Sequence, residues 1–271
     1  MRIVPFSIEI ASHLKILFQD LPPIPTRLWA VLDGTIQGRI LVDDPLHPQF
    51  AILQDLADGP AYLGGAVTAQ DLLGAFRLLC PYQELVICLW SDSPLIALLP
   101  PAPTYEGIAI DFTDRSPAVN LDRLAVIPSG YHIERIDMWL AQQVEGFDYY
   151  VKMFGSLEQA LQNMIGYCLM EEDKIVSEAI AAPLIRGIAE MGVETVENYR
   201  KKGFATVISA YVIRECEALG YRVFWNTAQQ NAASIALARR LGFQTEQPFT
   251  VKAWSATNEP EPAPTTSPLQ T

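Results

Sequence analysis

The sequence predicts a mixed α/β protein built around a mixed sheet. Three observations carry this reading. Short apolar runs with strand character alternate with segments of helical period along nearly the whole chain. Half of the 271 residues are hydrophobic and only 18% are charged, which is ample for a sizeable core. No charge-free apolar stretch reaches the length of a membrane helix, so no membrane association is expected.

The elements follow in order. "LWAVLDGTIQGRILVDD" places two apolar runs around Asp33-Gly34, the signal of a hairpin. "TAQDLLGAFRLLC" is an amphipathic helix that Thr68 can cap. "ELVICLWS" and "IAIDF" are strands separated by a proline-rich connection, and "TDRSPAVNLDRLAVIPSG" is a crossover. "YHIERID" is a short strand leading into the helix-like "MWLAQQV". "FDYYVKMFGSLEQALQNM" is helical with a break at Gly155-Ser156. "IGYCLMEEDKIVSEAIAAP" forms two strands with a turn at Glu172-Asp173. "GIAEMGVETV" is another strand, in which Gly192 marks a bulge or a close backbone approach. A helix from Gly203, the strand "YRVFWNT", a helix from about Ala232 and the strand "FQTEQPFTVKAW" complete the pattern.

This pattern divides into an N-terminal α/β accessory domain over 1–125, a second domain over 126–256 and a Pro/Thr-rich tail over 257–271. The tail has too little apolar content to pack and is expected to be extended or disordered.

Composition excludes several classes. Cys80, Cys88, Cys168 and Cys216 are far apart, without any Cys-x-x-Cys pair, and read as free thiols in a reducing cytosol. His13, His47 and His132 are scattered, so no metal site is expected. The "MRIVPFSIEIASHLKILFQDL" start carries charges within its apolar stretches and predicts no secretory signal, which places the protein in the cytoplasm. The acidic balance, 31 Asp and Glu against 19 Lys and Arg, argues against a nucleic-acid partner and is compatible with a cationic substrate. No G-x-G-x-x-G, P-loop, G-x-S-x-G or H-E-x-x-H motif is present.

One stretch stands out in so acidic a chain: Tyr199-Arg200-Lys201-Lys202-Gly203-Phe204-Ala205. It lies between a predicted strand and a predicted helix. The first amides of a helix lack partners, and the helix dipole makes that end partly positive. Gly203 admits a ligand to the backbone, and Lys201 and Lys202 add charge. These features suit a pyrophosphate. Alone the motif is weak, and a helix opened by glycine and flanked by ordinary surface lysines accounts for it better. Its context is stronger: Asn231 opens a second turn-helix unit, "NAASIALARRLGF", which ends at Leu241-Gly242-Phe243.

With both units at this spacing, the sequence resembles the GNAT superfamily of acyl-CoA-dependent N-acyltransferases. The cofactor loop of that family, Gln/Arg-x-x-Gly-x-Gly/Ala, is matched by Arg200, Gly203 and Ala205. The later Asn-to-Leu-Gly-Phe helix is matched from Asn231 to Phe243. "AEMGVET" and "WN" look like the zwittermicin-resistance-like branch. The resemblance covers about residues 131–254. It implies the GNAT fold there, with the N-terminal half as an accessory or degenerate GNAT-like domain. It also implies an N-acetyltransferase that moves an acetyl group from acetyl-CoA to the amine of a small molecule in a ternary complex. In such a site the amides of Lys201, Lys202, Gly203, Phe204 and Ala205, with Arg200, would hold the pyrophosphate. The backbone of Val193, Thr195 and Val196 would pair with the pantetheine, and Asn231 and Ser234 would lie beside that arm.

Amine acylation needs a base, and the strand before the loop offers Glu190 and Glu194, which share parity. Glu190 is the preferred base, since the family places one upstream of the loop; structural carboxylates are the alternative. The tyrosine that many members place in the last helix, as acid to the departing thiolate, is replaced by Ala238. Ser234, a water or unassisted departure would have to serve. A CoA-binding protein with weak or no catalysis is therefore the alternative function. Packing on the catalytic domain, shaping the acceptor cleft and forming a homodimer are the roles open to the N-terminal half.

Overall fold

Residues 1–18, 22–57 and 59–255 are described by the computed structural model, and the predicted tail lies outside them. In chain order the elements are β1 (Arg2–Val4), α1 (Ile8–Leu14), α2 (Pro25–Leu32), β2 (Gly38–Val42), β3 (Phe50–Asp55), β4 (Pro60–Gly65), α3 (Ala69–Leu79) and β5 (Leu85–Trp90). Then come β6 (Tyr105–Phe112), α4 (Leu121–Leu124), β7 (His132–Arg135), α5 (Asp148–Phe154), α6 (Leu157–Gln162), β8 (Ile165–Glu171), β9 (Lys174–Ala181) and β10 (Ile188–Thr195). Helix α7 (Phe204–Ala218), β11 (Arg222–Ala228), α8 (Ala232–Arg240) and β12 (Glu246–Trp254) complete the series.

The strands join in one 12-stranded sheet of order β1-β2-β3-β4-β5-β12-β6-β11-β10-β9-β8-β7. Neighbours are antiparallel except β4 with β5 and β10 with β11, which are parallel. The fold class is thus the mixed α/β sheet that the sequence predicts. The same connectivity occurs twice. Strands β2, β3 and β4 pair antiparallel, and α3 then crosses over to parallel β5. Strands β8, β9 and β10 likewise pair antiparallel, and α7 crosses over to parallel β11. Both crossovers obey the need of parallel strands for a long connection. The two units are stitched together by β12, which lies between β5 and β6.

The units differ where their crossover helices begin. Thr68 caps α3, and Asp71 returns a bond to the Thr68 amide, so side chains fill that terminus. At the start of α7 stands Gly203, with no side-chain cap.

Each sheet face is covered. Buried Leu28, Val31 and Leu32 of α2 meet Phe147, Met153 and Phe154 around α5, together with Cys168 and Ile180 from the sheet. On the opposite face Ile208, Val212 and Ile213 of α7 pack with Leu169, Ala179, Ala189 and Trp225. Phe76 of α3 meets Trp254 edge to face, closing the third cluster. Burial pushes the thiols of Cys88, Cys168 and Cys216 up to about 12, as expected of inert core cysteines.

Three sequence expectations need correction. No hairpin forms at Asp33-Gly34, because "LWAVL" is the end of helix α2. Pro25 at its first turn favours that helix, all of whose residues but Trp29 are buried. "MWLAQQV" makes only one 3₁₀ turn, Leu140–Gln142, set by Asp137 Oδ1 accepting from the Trp139 and Leu140 amides. Strand β10 runs past Gly192 without a bulge, in register from Met191↔Ala181 to Thr195↔Ser177.

Candidate active site

Strands β10 and β11 pair only from Ile188↔Arg222 to Glu190↔Phe224. Beyond that point β10 continues beside β9 and β11 beside β6, so the two part. Ala182 N donates to Glu190 O, and Val196 N donates to Val176 O. Backbone direction alternates along a strand, so the even-numbered residues of β10 turn their polar groups to β9. Val193 and Thr195 therefore turn theirs into the gap, where the Thr195 carbonyl accepts from Arg200 Nε at 3.0 Å. Val196 is different: its amide is engaged by Val176, and its carbonyl accepts from Tyr199 N.

Beyond β10 the chain turns through Lys201 (φ 64°) and Gly203 (φ 87°) into α7. A Cβ on Gly203 would meet nothing within 4 Å, so the helix terminus is open. Thr206 and Val207 both donate to Gly203 O. The amides from Lys201 to Ala205 donate to no backbone carbonyl among the described residues. Lys201 and Lys202 are exposed, with the Lys202 ammonium 4.6 Å over the Tyr199 ring. Phe204 is buried beneath the loop against Tyr131. The Tyr131 and Tyr199 hydroxyls both donate to Glu171, which lowers the pKa of that carboxyl and fixes the underside of the loop. Arg200 turns away from the helix terminus toward Glu194, at 3.0 Å.

Asn231 and Ser234 open α8. Asn231 Oδ1 caps it by accepting from Ser234 N at 3.1 Å, and Trp225 Nε1 donates to Ser234 Oγ at 3.0 Å. Ala238 is fully buried among Trp225, Leu241 and Phe243. A tyrosine there would have to displace core.

The carboxylates gather on the other face of the sheet. Glu194 lies opposite Glu178, and Gly192 opposite Ile180, so Glu178, Glu190 and Glu194 share one face. Glu190 accepts from Asn226 Nδ2 at 2.7 Å and from Thr26 Oγ1 at 3.1 Å, and Arg27 Nε stands 3.6 Å away. Glu194 is exposed and paired with Arg200. Glu178 is 8% exposed, and among the described residues no side chain bonds its carboxylate. Burial, then the charges of Glu194 and Glu145, push its pKa up to about 7. It lines a cavity of about 230 Å³ with Gly192, Val193, Tyr149 and Tyr150. The Tyr150 hydroxyl lies 3.4 Å from where a Cβ on Gly192 would stand, an ordinary contact, so the close backbone approach expected at this glycine is not found either. Burial, and then Glu190, raise the Tyr150 phenol to about 12, with Arg27 opposing.

The structure thus brings Val193, Thr195, Lys201, Lys202, Gly203, Phe204 and Ala205 to the gap and the helix terminus that ends it. It engages the Val196 backbone elsewhere and spends Arg200 on the Thr195 carbonyl and Glu194. Sequence reasoning missed Glu178 and the partners of Glu190. Glu178 had one signal, as the only acid within the otherwise apolar run "IVSEAIAA". The bonds from Thr26 and Asn226 join residues far apart in sequence and left none.

A parted parallel strand pair that ends at an open, lysine-flanked helix terminus defines an acyltransferase of the GNAT type. The chain belongs to the GNAT acetyltransferase family, whose model matches residues 17–251. It is 25% identical over 257 residues to the uncharacterized N-acetyltransferase YdfB of Bacillus subtilis (strain 168), covering 89% of this chain and 94% of that protein. The crystal structure of a GCN5-related N-acetyltransferase-like protein from Streptococcus suis 89/1591 superposes with a TM-score of 0.69 at 24% identity, covering 90% of this chain and 98% of the other. A tandem GNAT protein from the clavulanic acid biosynthesis pathway superposes with a TM-score of 0.59 at 12% identity, covering 93% and 97%.

The family uses acetyl-CoA, and the residues here fit that group. The backbone of Val193 and the Thr195 amide offer strand-like partners for a pantetheine arm, and the amides at the open α7 terminus offer donors for a pyrophosphate. Among the described residues no cluster of three or more His, Cys, Asp or Glu is placed to hold a metal, and no helix is long and apolar enough to cross a membrane.

Proposed function

We propose that the chain is an acetyl-CoA-dependent N-acetyltransferase acting on the amine of a small molecule by direct attack in a ternary complex. The single observation that carries this reading is the gap beyond Glu190. Its rim bears the Val193 and Thr195 backbone groups, and a nearly partnerless Glu178 shares a cavity with Gly192 and Val193 beside it. Acetyl-CoA, when bound, supplies the acetyl group as a thioester. Amides 201–205 hold its pyrophosphate, with Lys201 and Lys202 adding charge. The Val193 amide is the donor placed to stabilise negative charge on the reacting carbonyl oxygen.

Glu178 is the base in this account. A carboxyl that titrates near 7 is matched to taking a proton from an ammonium group at neutral pH. Glu190, the sequence's first choice, is a positioning residue, since Asn226, Thr26 and Arg27 surround it with donors. Glu194 adds negative charge at the cavity mouth and helps to attract a cation. The Ser234 hydroxyl, oriented by Trp225, and the Tyr150 phenol are the groups available to protonate the thiolate. The zwittermicin-resistance-like branch, a cytoplasmic location and a tandem layout belong to this proposal. The last is supported by the repeated connectivity, with 1–125 as the degenerate unit whose helix terminus Thr68 and Asp71 have filled.

The second reading, a CoA-binding protein with weak or no catalysis, is favoured by the burial of Ala238. Titration with acetyl-CoA followed by thiol release over a panel of amines separates the two. Release with any amine supports the enzyme, binding without release supports the second reading, and no binding contradicts both.

A further inference from the structure

A larger cavity, of about 1000 Å³, lies on the same sheet face as Glu178 but at the other end of β10. Helix α2 roofs it with Pro25 and Trp29, and its walls include Trp90, Asp111, Ile188 and Phe224. Ile188 lines this cavity and Gly192 lines the small one, roughly 13 Å away along the strand at about 3.3 Å per residue. Glu190 stands between them, held by Thr26 and Arg27. The two cavities are therefore separate rooms divided by the start of α2.

Asp111 is the feature that calls for an explanation. It is 1% exposed, it lines the cavity, and neither of its carboxylate oxygens has a well-formed hydrogen bond. The nearest donors are the amides of Ile24 and Phe112; burial and Glu190 outweigh them and push its pKa up to about 7. A buried carboxyl so poorly served by donors is costly. Nothing in the transfer chemistry uses it. Around it Asp92 and Asp114 add carboxylates, against Arg186 and Arg222. Arg186 is bound bidentately by Asp33, at 2.7 Å on both arms, a carboxylate it shares with Lys15 at 2.9 Å, so three lining carboxylates stand against Arg222 and a partly compensated Arg186. The walls are flat and aromatic, and they already carry cations: Arg186 lies 4.2 Å over Trp29, and Arg222 lies 4.9 Å over Phe224.

We propose that this cavity is a second ligand site, distinct from the transfer site, for a small organic ammonium ion with a flat apolar body, whose N–H group supplies the donor that Asp111 lacks. One short chain of groups runs from it toward the transfer site. Asp111 is the register partner of Asn226, and Asn226 holds Glu190 at 2.7 Å.

The test is calorimetric titration of the full chain with phenethylamine, beside phenethyl alcohol and phenylacetate. Saturable binding of phenethylamine is expected, with the alcohol and the acid weaker by about tenfold or more, the loss of one charge-assisted hydrogen bond. Asp111→Asn should weaken the amine by a similar factor, while Glu178→Gln leaves it within about twofold. Trp29→Ala, on a half-buried residue, should also weaken it and does not depend on the folding of the Asp111 variant. No saturation by about 10 mM phenethylamine, a weak limit for so small a ligand, overturns the proposal. So does undiminished binding to Asp111→Asn or Trp29→Ala, and so does loss with Glu178→Gln, which would place the probe in the transfer site. Acetyl-CoA titrated into the same samples reports on the transfer site alone, so failure of one site is distinguishable from failure of the other.

Discussion

Arg27 of α2 binds Asp55 at 2.6 Å and stands 3.6 Å from Glu190 on β10. One buried guanidinium thus ties a strand of the N-terminal unit to the strand that borders the gap between β10 and β11. Tyr149 lies 5.2 Å below it, and the attraction of Glu190 and Asp55 outweighs its burial, so that its pKa is raised. The N-terminal half is part of the candidate active site in this arrangement.

Removing that cation leaves Asp55, which is fully buried, beside Glu190 without compensation. Arg27→Met is expected to lower unfolding stability by about 3–5 kcal/mol, read by urea denaturation. A loss under about 1 kcal/mol would mean that the pair relaxes at little cost.

Glu178→Gln is expected to reduce kcat/KM by about 10²–10³ with whichever amine the wild type acetylates. The wild-type profile should climb with pH to an inflection at about 7, where Glu178 loses its proton, and the variant should lack that inflection. Glu190→Gln should alter KM more than the inflection. If it abolishes the inflection instead, the roles of the two carboxylates are exchanged.

Stability should itself depend on pH. Glu178 and Asp111 keep protons in the folded chain up to about 7, whereas unfolded they release them near 4. Between these values the folded state binds more protons, so stability falls as pH rises from about 4 to about 7 and then levels. Asp111→Asn should flatten part of this slope and stabilise the chain above pH 7 by about 1–3 kcal/mol. Denaturation midpoints measured across that range check the sign. A rise over the same interval would show that these groups are not the protonated ones.

Ala238→Tyr restores the residue that many family members carry, yet it should not restore an acid. Its site is core, so the expected result is a loss of about 1–3 kcal/mol and no gain in kcat. An increased kcat would show that the helix can turn this position toward the thioester.

What the sequence revealed depended on how local each feature was. The Thr68 cap of α3, the break at Gly155-Ser156, and the loop entering α7 are encoded within a few residues, and all were legible. Helix α2 was misread because its last residues run straight into the turn-like Asp33-Gly34, and Pro25 was the one start signal. The site was legible where it is backbone and loop, at Val193, Thr195 and Gly203. It was hidden where it is assembled across the sheet. Glu178 meets Glu194 only through the β9–β10 register, and Asp111 meets Asn226 only because β6 lies beside β11.

The most direct measurement is the affinity of the full chain for acetyl-CoA, by calorimetry, in the wild type and in Lys201→Ala/Lys202→Ala. The wild type should bind one acetyl-CoA per chain. The double variant should bind it about tenfold more weakly, and the difference should shrink as salt is raised. Equal affinity in both proteins at low salt, or no binding by the wild type, would contradict the placement of the pyrophosphate at the start of α7.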